Sequence, residues 1–338
     1  MSNNRFALGA GVALVFFTSA IGFADVSVNR VKTIDQFHVT ASATAFTGSL
    51  IAIATEDNSV RIFDTATMQT RFQMAGHPQT IQALAFNRAG TLVASGDITA
   101  RIYLWDTKTG KKLREFPRDK GHTKGIIGIA FSPDGSRIAT VGNDDVIKVW
   151  KTAGGNPIGT ILGAGANLYG IAYTPSGSIL TGTIADGLRI YNGTTFQLAA
   201  KMTVPGNQGV NGISDTRDGN SALTAGRDGK MLLWSVPKRS KVQTFAIHHD
   251  WVINTAVSPN GKYGASSSVD GSVILWNLLT GQSIATIKDT SPIGSPIGFT
   301  GDGKFFIATS AADGLTLYSV TPSQGGAAAS VKPVKKKK

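Results

Sequence analysis

Cysteine is absent from this chain of 338 residues. Without a thiol there can be no disulfide framework, no cysteine nucleophile and no cysteine-ligated zinc or iron–sulfur site. Charge is scarce as well, since 16% of the residues are charged, against about 25% in an average globular domain. A hydrophobic content of 41% still allows a large core, so the composition excludes a disordered chain.

Long amphipathic segments are also missing, because no window of the sequence has a helical hydrophobic period. The apolar runs are instead short and rich in β-branched residues, as in Ile126–Phe131 and Val146–Trp150. Turns containing Gly, Pro or Asp-Gly separate them, which predicts short antiparallel strands.

One longer hydrophobic run, from Phe6 to Phe23, follows the single charge of Arg5 and ends at Gly22-Phe23-Ala24. This pattern is typical of a signal peptide over residues 1–24, with a mature chain that begins at Asp25 in the periplasm or is secreted. An uncleaved membrane anchor is the alternative, because the run approaches the about 20 residues that span a bilayer.

Internal repeats organise the rest of the chain. Short apolar runs end in an aromatic residue every 41–45 residues, at Phe63, Trp105, Trp150, Tyr191, Trp234, Trp276 and Tyr318. A second series, of turn glycines, keeps nearly the same period, at Gly90, Gly135, Gly177, Gly219, Gly261 and Gly303. Each unit holds three or four strands, and one such sheet cannot bury both of its faces alone. Seven units packed radially can, which predicts a β-propeller.

The repeats resemble those of the WD40 family, which place Gly-His before the first strand and an aromatic residue followed by Asp after the third. Gly76-His77 with Trp105-Asp106 and Gly121-His122 with Trp150-Lys151 are the clearest copies. The resemblance covers about Val31 to Val320. It implies an all-β, seven-bladed propeller with four-stranded antiparallel blades, and it says little about function.

The family also implies a structural tetrad of His, Ser or Thr, Asp and Trp in each blade. By the family's spacing it falls on His122, Thr140, Asp144 and Trp150 in one unit and on His248, Ser266, Asp270 and Trp276 in another.

Other units depart from this pattern. In the Trp105 unit Asp97 is two residues too far from the Trp, which predicts a bulge. The Phe63 unit keeps Asp57 with His38 as its candidate histidine, and the Trp234 unit has no histidine. Asp186 and Asp313 are each one position displaced, so several blades are expected to depend on packing more than on buried polar networks.

Residues Val31–Asp35 precede His38 as an outer strand precedes the histidine elsewhere, yet they belong to no earlier unit. The last unit lacks its outer strand. We therefore expect residues 31–35 to complete that blade and close the ring, which hides two sheet edges. The predicted domains are a signal peptide over 1–24, a propeller over 25–320 and a disordered basic tail over 321–338.

Catalytic and cofactor sites find little support in the sequence. The Asp-Gly pairs lack alternating acidic ligands and fit hairpin turns rather than calcium loops. Of the five histidines, His249 alone falls outside the tetrad pattern, and His-His-Asp is a weak metal signal. We expect no metal and no cofactor. A propeller enzyme of the hydrolase, lactonase or quinoprotein type, with a site at the central channel, is the alternative.

The resemblance implies a protein-interaction scaffold whose partners dock on the face formed by the loops around the His and the Asp turn. The corresponding residues are Glu56, Asn143, Arg227 and Trp251, which we predict to form the binding face. The tail lysines, which are Lys332, Lys335, Lys336, Lys337 and Lys338, fit an anionic envelope surface better than nucleic acid, although a purely solubilising tail is equally consistent. The protein is expected to be a monomer.

Overall fold

A computed structural model describes residues 26–35, 38–163, 165–203, 206, 209–288, 296–310 and 314–322. These residues form seven four-stranded antiparallel sheets and contain no helix. The innermost strands of neighbouring sheets contact one another around a complete ring. The molecule is therefore a seven-bladed β-propeller, as the sequence predicts. Within the same ranges there is no helix long and apolar enough to cross a membrane.

The blades take their strands almost entirely in chain order. Blades 1 to 6 hold four consecutive strands each, beginning with β2, and blade 7 combines β26 to β28 with β1. The strands are β1 (Val26–Asp35), β2 (Val39–Thr44), β3 (Leu50–Thr55), β4 (Val60–Asp64), β5 (Gln69–Met74), β6 (Ile81–Phe86), β7 (Leu92–Asp97), β8 (Ile102–Asp106), β9 (Lys112–Glu115), β10 (Ile126–Phe131), β11 (Arg137–Gly142), β12 (Val146–Lys151), β13 (Gly159–Leu162), β14 (Leu168–Tyr173), β15 (Ser178–Thr183), β16 (Gly187–Asn192), β17 (Leu198–Met202), β18 (Val210–Asp215), β19 (Ser221–Gly226), β20 (Met231–Ser235), β21 (Ser240–Phe245), β22 (Val252–Val257), β23 (Tyr263–Ser268), β24 (Ser272–Asn277), β25 (Ser283–Lys288), β26 (Ile297–Phe299), β27 (Phe305–Ser310) and β28 (Gly314–Pro322).

Burial differs sharply between the strands of one blade. In β11 every residue after Arg137 is buried, whereas all four residues of β9 are exposed. The second strands are covered on both faces by the neighbouring blades, so successive residues are buried instead of alternate ones. The fourth strand lies at the rim, where water reaches it, and is mostly exposed.

The turns between first and second strands explain the glycine series in the sequence. In blade 3, Gly135 N–H donates to Ser132 O at 2.9 Å, and the Ser132 hydroxyl donates to Asp134 at 2.6 Å. Gly135 has a φ of +69°, a conformation that costs glycine little. Hydrogen bonds from Ser132 and Ser136 lower the pKa of Asp134 to about 2, so this turn is held by an ionised carboxylate at neutral pH.

The ring closes through β1, which pairs antiparallel with β28. Val28 lies opposite Val320 and is buried in the core of blade 7 with Phe306 and Tyr318. Closure by an N-terminal strand is therefore confirmed, but the strand is longer than the five residues predicted. At the other end β28 continues through Pro322, two residues into the expected tail. The signal peptide and the tail lysines lie outside the described residues.

Candidate functional site

Three blades contain complete hydrogen-bonded tetrads. In blade 3, His122 Nδ1 lies 2.9 Å from Asp144 and Nε2 lies 2.9 Å from Thr140 Oγ1, which also accepts the Trp150 indole N–H at 3.0 Å. Blade 6 repeats the arrangement with His248, Asp270, Ser266 and Trp276, at distances of 2.7–3.0 Å. Blade 2 has a third tetrad, formed by His77, Ser95, Asp97 and Trp105.

Two groups fix directions within each tetrad, because an indole can only donate and an ionised carboxylate can only accept. The Trp therefore donates to the hydroxyl oxygen, and His Nδ1–H donates to the Asp. For His248, burial lowers the pKa and outweighs the hydrogen bond with Asp270, so the ring is neutral at neutral pH. Both ring nitrogens are bonded inside the blade and the three histidine side chains are at most 1% exposed, so these histidines brace their blades and lie out of reach of a substrate or a metal ion.

Asp97 corrects the sequence interpretation of blade 2. No bulge interrupts the pairing of β7 with β8, which runs from Leu92 opposite Asp106 to Gly96 opposite Ile102. Asp97 instead lies in β7 itself, two residues after Ser95. Because alternate residues of a strand share a face, both side chains point at His77. The carboxylate therefore reaches the ring from the strand rather than from the following turn.

His38 is not a tetrad histidine, contrary to the expectation from the sequence. It is exposed, and its carbonyl accepts the Glu56 N–H at 3.1 Å. Gly125 accepts the Asn143 N–H in the same way, three residues after His122. His38 thus occupies the position immediately before the first strand, and the tetrad position of blade 1 falls on residue 35.

Arginines take the place of the missing histidines in blades 1 and 4. Arg61 donates to Asp57 at 2.7 Å, and Arg189 binds both carboxylate oxygens of Asp186 at 2.8–3.2 Å. Burial by itself would raise the pKa of Asp57. Hydrogen bonds from Thr55 and Ser59 and the charge of Arg61 together outweigh this effect and lower the pKa to about 2. Blades 1 and 4 therefore have polar networks of their own, although the sequence led us to expect several blades to depend on packing more than on such networks. The signal in the sequence is an arginine two residues before Phe63 and Tyr191.

The four predicted binding residues all lie on one face, here called the upper face, which carries the loops leading into each first strand and the turns between the second and third strands. Backbone hydrogen bonds join these loops and turns, such as Arg227 N–H to Gly209 O at 3.0 Å and Val269 N–H to Trp251 O at 2.9 Å. Glu56 and Asn143 are exposed, Arg227 is partly buried, and the side chain of Trp251 is 44% exposed.

Arg227 and Trp251 meet, together with a third residue that the sequence analysis did not select. The guanidinium carbon of Arg227 lies 4.7 Å from the ring centroid of Trp251 and 5.2 Å from that of Tyr169. We call this three-blade contact the Tyr–Arg–Trp stack. Glu56 and Asn143 belong to blades 1 and 3, and no hydrogen bond or ring contact within the described part of the chain joins either of them to the stack.

Ile98 and Asn211 were also missed. Ile98 is 41% exposed and occupies in blade 2 the same turn position as Glu56, Asn143 and Arg227, as its N–H to Thr80 O bond of 3.0 Å shows. Counting from the displaced Asp97 obscured this position. Asn211 lies in β18 and accepts the Arg227 Nε–H at 2.8 Å, and no motif distinguishes it in the sequence.

On the opposite, lower face, Phe46 joins distant blades. Its ring centroid lies 4.3 Å from the guanidinium carbon of Arg88 and 4.5 Å from that of Arg217. Arg217 also donates to the carbonyls of Phe46 and Gly301. The cluster brings together blades 1, 2, 5 and 7, so it braces the ring on this side.

Asp215 lies near this cluster, at the end of β18. The equivalent positions of most other blades hold large apolar residues, among them Phe86, Phe131, Tyr173 and Phe299. Burial raises the pKa of Asp215 to about 7, and the charge of Arg88 offsets this only in part. A partly buried carboxyl group therefore takes the place of these apolar side chains, and it holds its proton more tightly in the folded protein than in the unfolded chain.

Asp215 should make stability fall as pH rises. Between pH 5 and pH 7 the folded protein binds more protons at this group than the unfolded chain does, so the free energy of unfolding decreases with pH and levels off above about pH 7. Asp215→Asn should abolish this pH-dependent decrease in the free energy of unfolding, which is on the order of 2 kcal/mol. Urea unfolding at several pH values measures it. Because His248 contributes an opposite slope below about pH 6.5, the quantity to compare is the difference between wild type and variant.

Asp134→Asn serves as the control, since Asp134 is exposed, hydrogen bonds from Ser132 and Ser136 lower its pKa to about 2, and it stays ionised throughout this range. If the free energies of unfolding of wild type and Asp215→Asn change in parallel between pH 5 and 7.5, the raised pKa of Asp215 is wrong.

Metal-ligating groups do not cluster in the described ranges, where no set of three or more His, Asp or Glu side chains could hold an ion. His249 is exposed, and its backbone N–H donates to Asp270 at 3.0 Å. His249 therefore belongs to the loop beside the blade 6 tetrad and follows the tetrad histidine directly in the chain.

Family comparisons assign the repeats. A model described as "WD domain, G-beta repeat" matches residues 110–151, 199–235 and 239–277, and one described as "Anaphase-promoting complex subunit 4 WD40 domain" matches residues 46–124.

Among curated proteins, the B-type cell cycle switch protein ccs52A of Medicago truncatula is 27% identical over 68% of this chain and 49% of its own length. Autophagy-related protein 16 of Arabidopsis thaliana is 25% identical over 75% of this chain and 49% of its own length. WD repeat-containing protein srw1 of Schizosaccharomyces pombe is 24% identical over 75% and 47%. The chain thus spans about half the length of the curated relatives it matches.

Proposed function

Because this chain belongs to the WD40-repeat family, we propose that it is a non-catalytic platform that binds protein partners through its upper face. The observation that carries the proposal is the Tyr–Arg–Trp stack. It presents a half-exposed tryptophan beside an arginine, and these two residue types dominate the binding energy of protein interfaces. The scaffold beneath is rigid, since β14, β18 and β22 are paired strands of three adjacent blades.

Tryptophan exposure distinguishes this position from the rest of the chain. The other four tryptophans are at most 2% exposed, and each donates its indole N–H to a hydroxyl within its own blade. Trp251 instead exposes its ring next to a charged group. Burying that ring under a partner would remove apolar surface from water, which favours association.

The alternative of a propeller enzyme gains no support from the histidines of blades 2, 3 and 6, whose ring nitrogens are all bonded inside the blades. A histidine that acts as a general base must be within reach of the substrate proton, and these three side chains are at most 1% exposed. The platform is accordingly the function that the described geometry favours.

The proposed location is the periplasm or the outside of the cell, because residues 1–24 have the pattern of a signal peptide. The tail lysines would then meet an anionic envelope surface. Intact-mass measurement on protein from the envelope fraction tests this location. A chain beginning at Asp25 supports it, whereas a mass that still includes residues 1–24 indicates a membrane anchor.

Trp251→Ala should weaken partner capture by about 1–2 kcal/mol or more while leaving the free energy of unfolding within about 1 kcal/mol of wild type. The reason is that the Trp251 ring contacts a side chain at the surface rather than the core. Crosslinking in intact cells identifies partners, and capture and thermal unfolding are then measured on the same preparations. Arg227→Ala should behave in the same way.

Leu279→Ala is a matched control, because Leu279 is an 89% exposed apolar residue in the turn between β24 and β25 on the lower face. It should change neither quantity. If Trp251→Ala unfolds the protein as severely as Asp270→Ala, Trp251 is a core residue and the proposed face loses its best anchor.

A further inference from the structure

We infer that the Tyr–Arg–Trp stack is a receptor for one carboxylate, supplied by an Asp or Glu side chain of the protein partner. The inference rests on the proposed function and adds to it the chemistry of the partner. It concerns how the guanidinium of Arg227 can be reached and what can satisfy its remaining donors.

Two aromatic rings lie against the guanidinium of Arg227. Trp251 packs against it with 4.7 Å between the ring centroid and the guanidinium carbon, and Tyr169 does so with 5.2 Å. Rings at these distances stabilise a cation by their quadrupoles. The N–H donors of a guanidinium lie in its plane, so a ligand that accepts hydrogen bonds from Arg227 must approach along its edge.

The orientation of that edge is fixed by a chain of hydrogen bonds. Arg227 Nε–H donates to Asn211 Oδ1 at 2.8 Å, and Asn211 Nδ2–H donates to Val252 O at 2.9 Å. Val252 follows Trp251 directly, so one connection holds both the arginine and the tryptophan. Little side-chain entropy remains to be lost when a ligand binds. Among the residues that the structure describes, none accepts a hydrogen bond from the two Nη groups, which are the donors that a ligand can use.

Nearby carboxylates are engaged elsewhere. Asp228 pairs with Lys230 at 3.1 Å, and Asp250 accepts the Trp251 N–H at 2.7 Å. No salt bridge to Arg227 is found in the ranges that the structure describes. The positive charge of the partly buried Arg227 can therefore be neutralised by a carboxylate of a binding partner.

A carboxylate fits this edge better than other acceptors. It is planar and offers two oxygens, so it can take parallel hydrogen bonds from the arginine. The half-exposed ring of Trp251 lies beside the same edge and can cover the methylene groups of an Asp or Glu side chain. In this site Arg227 binds the carboxylate of the ligand, and the ring of Trp251 covers the methylene groups of the same side chain.

A random dodecapeptide display library panned on the immobilised full chain tests the inference. Selected peptides should share an Asp or Glu at a fixed position. Synthetic copies of the strongest peptide, carrying Glu, Gln or phosphoserine there, are then titrated by fluorescence anisotropy. We expect Glu→Gln to weaken binding to wild type about tenfold or more, and Arg227→Lys to weaken the Glu peptide similarly because lysine lacks the planar pair of donors.

Arg118→Lys is the matched control, since Arg118 is an exposed arginine on the same face. This substitution should leave the affinity for the Glu peptide unchanged. The indole N–H resonance of Trp251 should also shift with the Glu peptide, while those of the four buried tryptophans remain in place. In a double-mutant cycle the Gln peptide should lose no further affinity on Arg227→Lys.

Two results would overturn the inference while leaving the platform intact. One is selected peptides that bind the upper face with equal affinity as Glu and Gln forms, and the other is a phosphoserine form that binds at least about tenfold tighter than Glu. If neither peptides nor crosslinked proteins depend on any upper-face residue, both the carboxylate site and the proposed platform fail.

Discussion

Asp97→Ala should lower the free energy of unfolding by about 3–5 kcal/mol, the largest effect we expect from a single substitution. Its side chain and that of His77 are fully buried. Besides the His77 ring, the carboxylate accepts the backbone N–H groups of Thr99 and Arg101 at 2.8 and 3.0 Å. Alanine would leave several buried donors unsatisfied at once. Urea unfolding monitored by circular dichroism measures the loss.

Asp106→Ala is the comparison that tests the reasoning. Asp106 belongs to the same blade and is the Asp of the Trp-Asp pair, but it only caps an exposed turn by accepting the N–H groups of Lys108 and Thr109. Its replacement should be far milder. If the two variants are equally destabilised, the tetrad does not stabilise blade 2 in the way described.

Deleting residues 25–35 should cost at least about 4 kcal/mol and make the protein associate. The deletion removes β1, so the buried side chain of Val28 is lost and β28 becomes an unpaired edge in blade 7. Thermal unfolding and size-exclusion chromatography measure the two consequences. An unchanged midpoint together with a monomeric elution volume would contradict closure by this strand.

Two substitutions within β1 separate packing from edge protection. Val28 is 6% exposed, whereas Val31 on the same strand is 45% exposed. We expect Val28→Ala to cost about 1–2 kcal/mol and Val31→Ala to remain within about 0.5 kcal/mol of wild type. Neither should cause association, because both keep the backbone pairing with β28.

The repeat period was sufficient to predict the number of blades and the closing strand. A turn glycine and a strand-ending aromatic recur because every blade must make the same reversal and cover the same neighbour. The wrong predictions concern blades that build the buried polar network from other residues or from other positions. Asp97 supplies its carboxylate from the strand instead of the turn, and the arginines of blades 1 and 4 replace a histidine, so a fixed spacing from the Trp could not locate these networks.

The sequence by itself determined the architecture, because the pattern of short strands and turns is local and is written seven times. It also indicated one face for partner binding, because equivalent positions in repeats fall on equivalent sites of the ring. Tertiary structure alone decided which residues meet there. Tyr169, Arg227 and Trp251 come from three blades, and they form a stack only because adjacent innermost strands place their upper ends side by side.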